Sequence, residues 1–244
     1  IQAYRLKVTP SLSFVSSGSR AADEGGGPPP TLRLKGQLAA TYSALFAADS
    51  KYSDQTSKQD NISGTAGLGA HILPGRAWGG DISGDVTRVM EASNDPDVGN
   101  AFRRDVVRGA AGVVWRPGGG LFSWRAGYGV QGTFFEDSDF SNLNNLQHSL
   151  VMSGDWKFLP RTALVYRGNV TWLHYDAPPR NMALANGPST NSQIGLNGLV
   201  SNYFGVLLLG GWAASFYDAG ARPSENYDNF VGQAEVTGYA TPQE

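Results

Sequence analysis

The chain has 244 residues, 32 of them glycine, with 16% charged and 11% aromatic residues and no cysteine. A formal net charge of -2 and an isoelectric point of about 5.9 argue against a nucleic-acid partner, which needs a basic surface. The absence of cysteine excludes a disulfide scaffold and thiolate metal sites, and no run approaches the ~18 apolar residues of a membrane-spanning helix.

The chain opens at Ile1 without a charged region and apolar core, as expected of a removed signal peptide or an internal piece. A first alternating segment runs from Tyr4 to Phe14, and SSGSRAADEGGGPPP, Ser16 to Pro30, follows as a Gly/Pro-rich connection. The second, Leu32 to Phe46, sets Leu32, Leu34, Leu38, Tyr42 and Phe46 against Arg33, Lys35, Gln37 and Thr41. That is a strand with one apolar and one polar face.

The third, Ile62 to Ile72, opposes Ile62, Leu68 and Ile72 to Asn61, Thr65 and His71. The fourth to sixth run over Gly80 to Met90, Arg104 to Trp115 and Phe122 to Phe135. The seventh, Leu146 to Phe158, opposes Leu146, Leu150, Met152, Trp156 and Phe158 to Gln147, Ser149, Asp155 and Lys157. Leu164 to Tyr175, Gln193 to Val200, Phe204 to Tyr217 and Phe230 to Ala240 complete eleven segments. Several exceed the usual strand of about 5–6 residues and match the ~9–11 of a tilted membrane strand.

Connections alternate in length. LPGRA, RPGGGL, LPRTA and Asn202-Tyr203 are short; ADSKYSDQTSKQDN, EASNDPDVGN, EDSDFSNLNN, DAPPRNMALANGPSTN and DAGARPSENYDN are long and polar. Short periplasmic turns and long extracellular loops predict an all-β, antiparallel transmembrane β-barrel occupying residues 1–244 as one domain. Eleven segments are visible; a closed wall needs at least 12 strands, so the expectation is a missing terminal strand or another chain.

Trp78, Trp115, Phe122, Trp124, Trp156 and Phe158 take the apolar parity beside short turns, while Tyr42, Phe46, Phe134, Trp172, Trp212 and Phe216 lie toward the other ends, two interfacial belts. A β-sandwich also alternates, but its apolar parity must fill a core; here it mixes Trp and Leu with many Gly and Ala. Arg88 reads as the only charge on that parity.

The turns ILPGRAW, VWRPGGGLFSW and FLPRTAL, with NLNNLQHSL and IGLNGLVSNYF, resemble outer-membrane β-barrel proteins of diderm (Gram-negative) bacteria, in particular barrels that accompany exopolysaccharide secretion or gliding machinery. The resemblance implies a bacterial outer-membrane location, contact with lipid and lipopolysaccharide, and periplasmic or envelope-complex subunits as partners.

Candidate chemistry is sparse. Gly127-x-Gly129-x-x-Gly132 matches a dinucleotide fingerprint, but it lies inside an alternating strand with no helix after it, so no cofactor is expected. His71, His148 and His174 are not at metal-ligand spacing, and no nucleophile or base motif accompanies them, so neither a metal site nor an enzyme is expected. Asp137, Asp139 and Ser141 open like a calcium loop, but Asn142 and His148 stand where its glycine and closing acid belong. The bland reading is a solvated acidic loop; a weak divalent site is the alternative.

The lumen parity carries Arg5, Lys7, Arg33, Lys35, Arg104, Arg108, Arg125, Lys157 and Arg167 against Asp81, Asp85, Glu91, Asp155 and Glu235, with Gln131 among them. Rings of basic side chains favour anions. The functional expectation is a passage, porin-like or for polysaccharide export, with anionic solute or polysaccharide as cargo. The alternative is a structural anchor barrel of an envelope-spanning secretion or motility complex, its lumen charges pairing across strands.

Overall fold

A computed structural model describes residues 3–16, 31–48, 51, 61–74, 76–91, 102–176, 186–217 and 226–241. The long connections between them, including much of the Ser16 to Pro30 segment, lie outside the described residues.

The twelve strands are β1 (Ala3–Val8), β2 (Ser11–Val15), β3 (Leu32–Ala47), β4 (Asn61–Ile72), β5 (Trp78–Glu91), β6 (Phe102–Trp115), β7 (Phe122–Phe135), β8 (Asn145–Leu159), β9 (Thr162–Tyr175), β10 (Gly187–Ser201), β11 (Phe204–Ser215) and β12 (Tyr227–Gly238). They form a single antiparallel sheet in which every strand from β3 on pairs with its sequence neighbours. The alternation seen in the sequence is this pleat. No helix among the described residues is long and apolar enough to cross a membrane.

Two differences from the sequence reading have physical causes. The segment Tyr4 to Phe14 is two strands, because both β1 and β2 pair with β3 and Pro10, between them, cannot donate to that ladder. Ala40 N still donates to Pro10 O at 3.1 Å, so β1 and β2 share one edge position. β10 begins at Gly187 rather than Gln193, pairing Pro188 to Ser192 with Gly168 to Trp172 of β9. Its Thr190 and Ser192 break the apolar alternation, and their hydroxyls donate to Asn169 O and Tyr166 Oη, both at 3.2 Å.

The sheet is open, with β1 and β2 on one edge and β12 on the other, as expected of eleven segments that do not close a wall by themselves. The twelve strands occupy eleven positions across it, the eleven segments legible in the sequence.

The short connections need little chain. Gly118, Gly119 and Gly120 have φ of 65, 74 and 93°, the left-handed region that other residues enter at a cost, and they turn β6 into β7 in one 3-10 step. The turns after β8 and β10 are tied together where Arg161 Nη1 donates to Asn202 Oδ1.

One layer of sheet cannot make a conventional core. Among the described residues no large side chain is fully buried, and the buried apolar ones are Ala44, Val106, Val165, Leu209 and Ala214. Leu68, Ile82, Trp156, Ile194 and Leu208, all on the apolar parity, are exposed. That face covers its glycines with its own aromatics: Phe14 lies over Gly36, Trp124 over Gly154 and Phe134 over Gly132. Such cover compensates the missing side chains of strand glycines.

Candidate functional site

The polar face is where charge concentrates. On β5 the parity that points away from the apolar residues carries Asp81 and Asp85, four residues apart and therefore two pleats along one face. β6 places Arg108 opposite Asp85 and Gly112 opposite Asp81; β7 places Gln131 opposite Arg108 and Gly127 opposite Gly112.

This register builds a ladder across three strands. Arg108 Nη1 reaches Asp85 Oδ2 at 3.0 Å and its Nε donates to Gln131 Oε1 at 2.8 Å. Arg125 Nη2 donates to Asp81 Oδ1 at 2.7 Å, spanning β6. The span works because the Asp81 carboxylate lies over Gly112, where a Cβ would come within 3.1 Å of it. These are charge-assisted bonds of good length, but the Arg108 and Arg125 side chains are 47% and 54% exposed, so solvent screens them.

Asp81, Asp85, Arg108, Arg125 and Gln131 are thus brought together. The other lumen candidates share the face but not the cluster. Arg33 faces His71 in register; Lys35 faces Gly69, its side chain lying across that glycine. Arg104 pairs with Val89 and Phe135. Asp155 faces Ser123 and Val165, Lys157 faces Ala163, and Glu235 of β12 faces Leu207. Arg167 lies in one row with Ser153 and Arg125, and faces Gln193 on its other side. From β8 to β10 the face adds the amides and hydroxyls Gln147, Ser149, Asn169, Thr171, Ser189 and Asn191, with Val151, Leu173 and Leu199 among them.

On the apolar face the sequence-assigned aromatics form a continuous row. Trp78, Trp115 and Trp124 are successive register partners, followed by Gly154 and Tyr166. Trp78 stacks on Trp115 at 5.5 Å, Phe122 meets Trp115 edge-on at 5.3 Å, and Trp124 crosses Gly154 to stack on Tyr166 at 5.5 Å. Trp156 and Phe158 lean together nearer the turns. Toward the loops, Trp212 lies near Phe216 and donates its indole N–H to Asp228, while Trp172 faces His148. A shallow depression of about 420 Å³ opens between these levels, where Gly80, Ala111 and Ala126 leave room among Ile72, Ile82 and Tyr128.

Sequence reasoning missed three features. Arg88 is not the only charge on the apolar parity. Asp105 is its register partner, and Arg88 contacts both Asp105, at 3.9 Å, and Glu136. All three stand at the loop end. Counting parity back from Trp115 finds Asp105, but Arg103-Arg104-Asp105 places charges on both faces and masks it. Tyr166 belongs to the aromatic row although it stands well inside β9. Tyr128 Oη and His148 Nδ1 share a 2.5 Å hydrogen bond, a polar contact on the apolar parity.

The fingerprint glycines divide between faces, Gly127 and Gly129 on the polar one and Gly132 under Phe134 on the other, so they make no phosphate cradle. Residues Ser138–Leu143 of the acidic loop form a short 3-10 turn in which Phe140 N donates to Asp137 O. No group of three or more metal-ligating side chains occurs among the described residues.

No family model matches this sequence, and no curated protein matches it.

Proposed function

We propose that this sheet is the wall of an outer-membrane β-barrel that forms a passage, porin-like or for polysaccharide export, without catalysis or cofactor. The observation that carries the reading is the difference between the two faces. One face presents Leu68, Ile82, Trp156, Ile194 and Leu208 with no second layer over them among the described residues; the other carries the Asp81–Arg125 and Asp85–Arg108–Gln131 ladder. A soluble domain buries an apolar sheet face against another layer. Hydrocarbon covers it equally well, and antiparallel pairing satisfies the backbone there.

Supporting this, aromatic side chains gather toward both ends of the strands, as at the two interfaces of a bilayer. Charges on the apolar parity, Arg88, Arg103, Asp105, Glu136 and Asp228, stand toward the loop ends of their strands, level with lipid and lipopolysaccharide head groups. The polar face then lines the lumen, and its excess of basic over acidic side chains favours anionic solutes or an acidic polysaccharide.

Reconstitution in planar bilayers tests the reading. Stable conductance is expected, with an anion preference that Arg167→Glu, at a position with no carboxylate in register, reduces more than Arg108→Gln does. A second reading, the anchor barrel of an envelope-spanning complex, is favoured by the ladder itself, which neutralises four charges and ties β5, β6 and β7 together. A barrel that stays silent and co-purifies with periplasmic subunits refutes the passage and favours the anchor.

A further inference from the structure

We propose that the gap between the two edges of the sheet takes one further strand, supplied by a segment outside these 244 residues and running antiparallel to both edges. The proposal rests on the barrel reading above. Eleven strand positions alternate in direction, so the first and last run the same way. Joining β12 directly to β1 and β2 would place one parallel seam in an otherwise antiparallel wall; one inserted strand restores the alternation.

Both edges are competent to pair. Successive peptide units of a strand point to opposite sides. Ser16 N donates to Leu34 O, and Ala40 N to Pro10 O, so even-numbered residues of β1 and β2 face β3. The odd ones, 3 through 15, face the open side. Pro10, the residue that would blunt an edge, is therefore missing its N–H on the inner, β3 side and leaves the outer ladder whole. Tyr239 N donates to Tyr203 O, so odd residues of β12 face β11 and the even ones, Asp228 through Gly238, face outward. Neither edge strand shows a bulge against its neighbour.

The occupant follows by chemistry. The connections of this sequence are Gly/Pro-rich or polar and lack the alternation of a wall strand. A second copy inserted in the same orientation brings edges that run in the same direction, which cannot pair antiparallel. What fits is an alternating segment of about twelve residues, the length of β12. Its polar side is acidic near the loops, opposite Arg5 and Lys7, and basic near the turns, opposite Glu235.

Paired cysteines measure the gap, since these 244 residues contain none. In the full natural protein in its own membrane, Thr9→Cys, Ser11→Cys or Ser13→Cys is combined with Asn229→Cys or Gln233→Cys. One intervening strand sets the edges about 10 Å apart, beyond the ~7 Å limit for a disulfide. The expected result is that no pair oxidises to a disulfide while at least one pair is bridged by a bis-maleimide of about that length. A disulfide across the seam overturns the proposal in favour of direct closure, and failure of both reagents overturns it in favour of a wider gap. Failure of the protein to fractionate with membranes overturns the barrel reading first, whatever the cross-linking shows.

Discussion

Ile82→Arg and Ser83→Arg place the same charge on opposite faces of one strand, and they separate a membrane wall from a water-exposed sheet. β5 has 14 residues, about 48 Å at ~3.4 Å per residue. Tilted by about 45°, it spans roughly 34 Å, enough to cross a hydrocarbon core of about 25 to 30 Å. Ile82 is the fifth residue of β5 from the turn end, inside the level set by Trp78, and its side chain is 54% exposed. In lipid, arginine there costs about 2–4 kcal/mol near the midplane. At a urea slope of about 2 kcal/mol/M, the unfolding midpoint in vesicles falls by about 1–2 M. Ser83 points to the polar face, so Ser83→Arg shifts the midpoint by less than about 0.3 M, the equivalent of an ordinary surface change of about 0.5 kcal/mol. Equal shifts for the two variants, or no shift for Ile82→Arg, would refute the assignment of the apolar face to lipid.

Gly119→Ala tests the β6–β7 turn: φ is 74° and nothing lies within 4 Å of the new Cβ, so the cost is backbone alone, about 1–2 kcal/mol in an equilibrium unfolding titration. Gly154→Leu displaces Trp124 and should cost at least the 0.5–1.5 kcal/mol of an aromatic pair; a double-mutant cycle with Tyr166→Leu should show coupling, and additivity would refute the stacked row. Arg88→Ala removes the guanidinium that both Asp105 and Glu136 contact on the apolar parity, and the loss of stability should be partly restored by adding Asp105→Asn. Gly112→Val pushes on the Asp81 carboxylate and should break its bond to Arg125, seen as altered ion selectivity with little change in stability because both groups are partly solvated.

The sheet was legible because a strand has a period of two and a two-faced sheet writes that period into side-chain polarity. Leu32 to Phe46 and Leu146 to Phe158 announce β3 and β8 almost to the residue. Legibility fails where a hydroxyl replaces a hydrocarbon on the apolar parity. Thr190 and Ser192 look like loop, yet they extend β10 because their hydroxyls find partners on β9. Pro10 is the converse case: the alternation runs through it, and only the ladder to β3 reveals that one segment is two strands.

The charged ladder was half legible. Parity places Asp81, Asp85, Arg108, Arg125 and Gln131 on one face, but pairing depends on register, and register depends on turn geometry. The Asp81–Arg125 bond depends on one more condition, that Gly112 leaves its position empty beneath the carboxylate. Gly112 is thus covered by an ion pair contributed by the strands on either side of it. The same logic governs Gly154, filled by Trp124, and Gly36, filled by Phe14. At Gly112, Gly154 and Gly36 a long side chain from an adjacent strand crosses the position, so these glycines tie neighbouring strands together as much as they thin the wall.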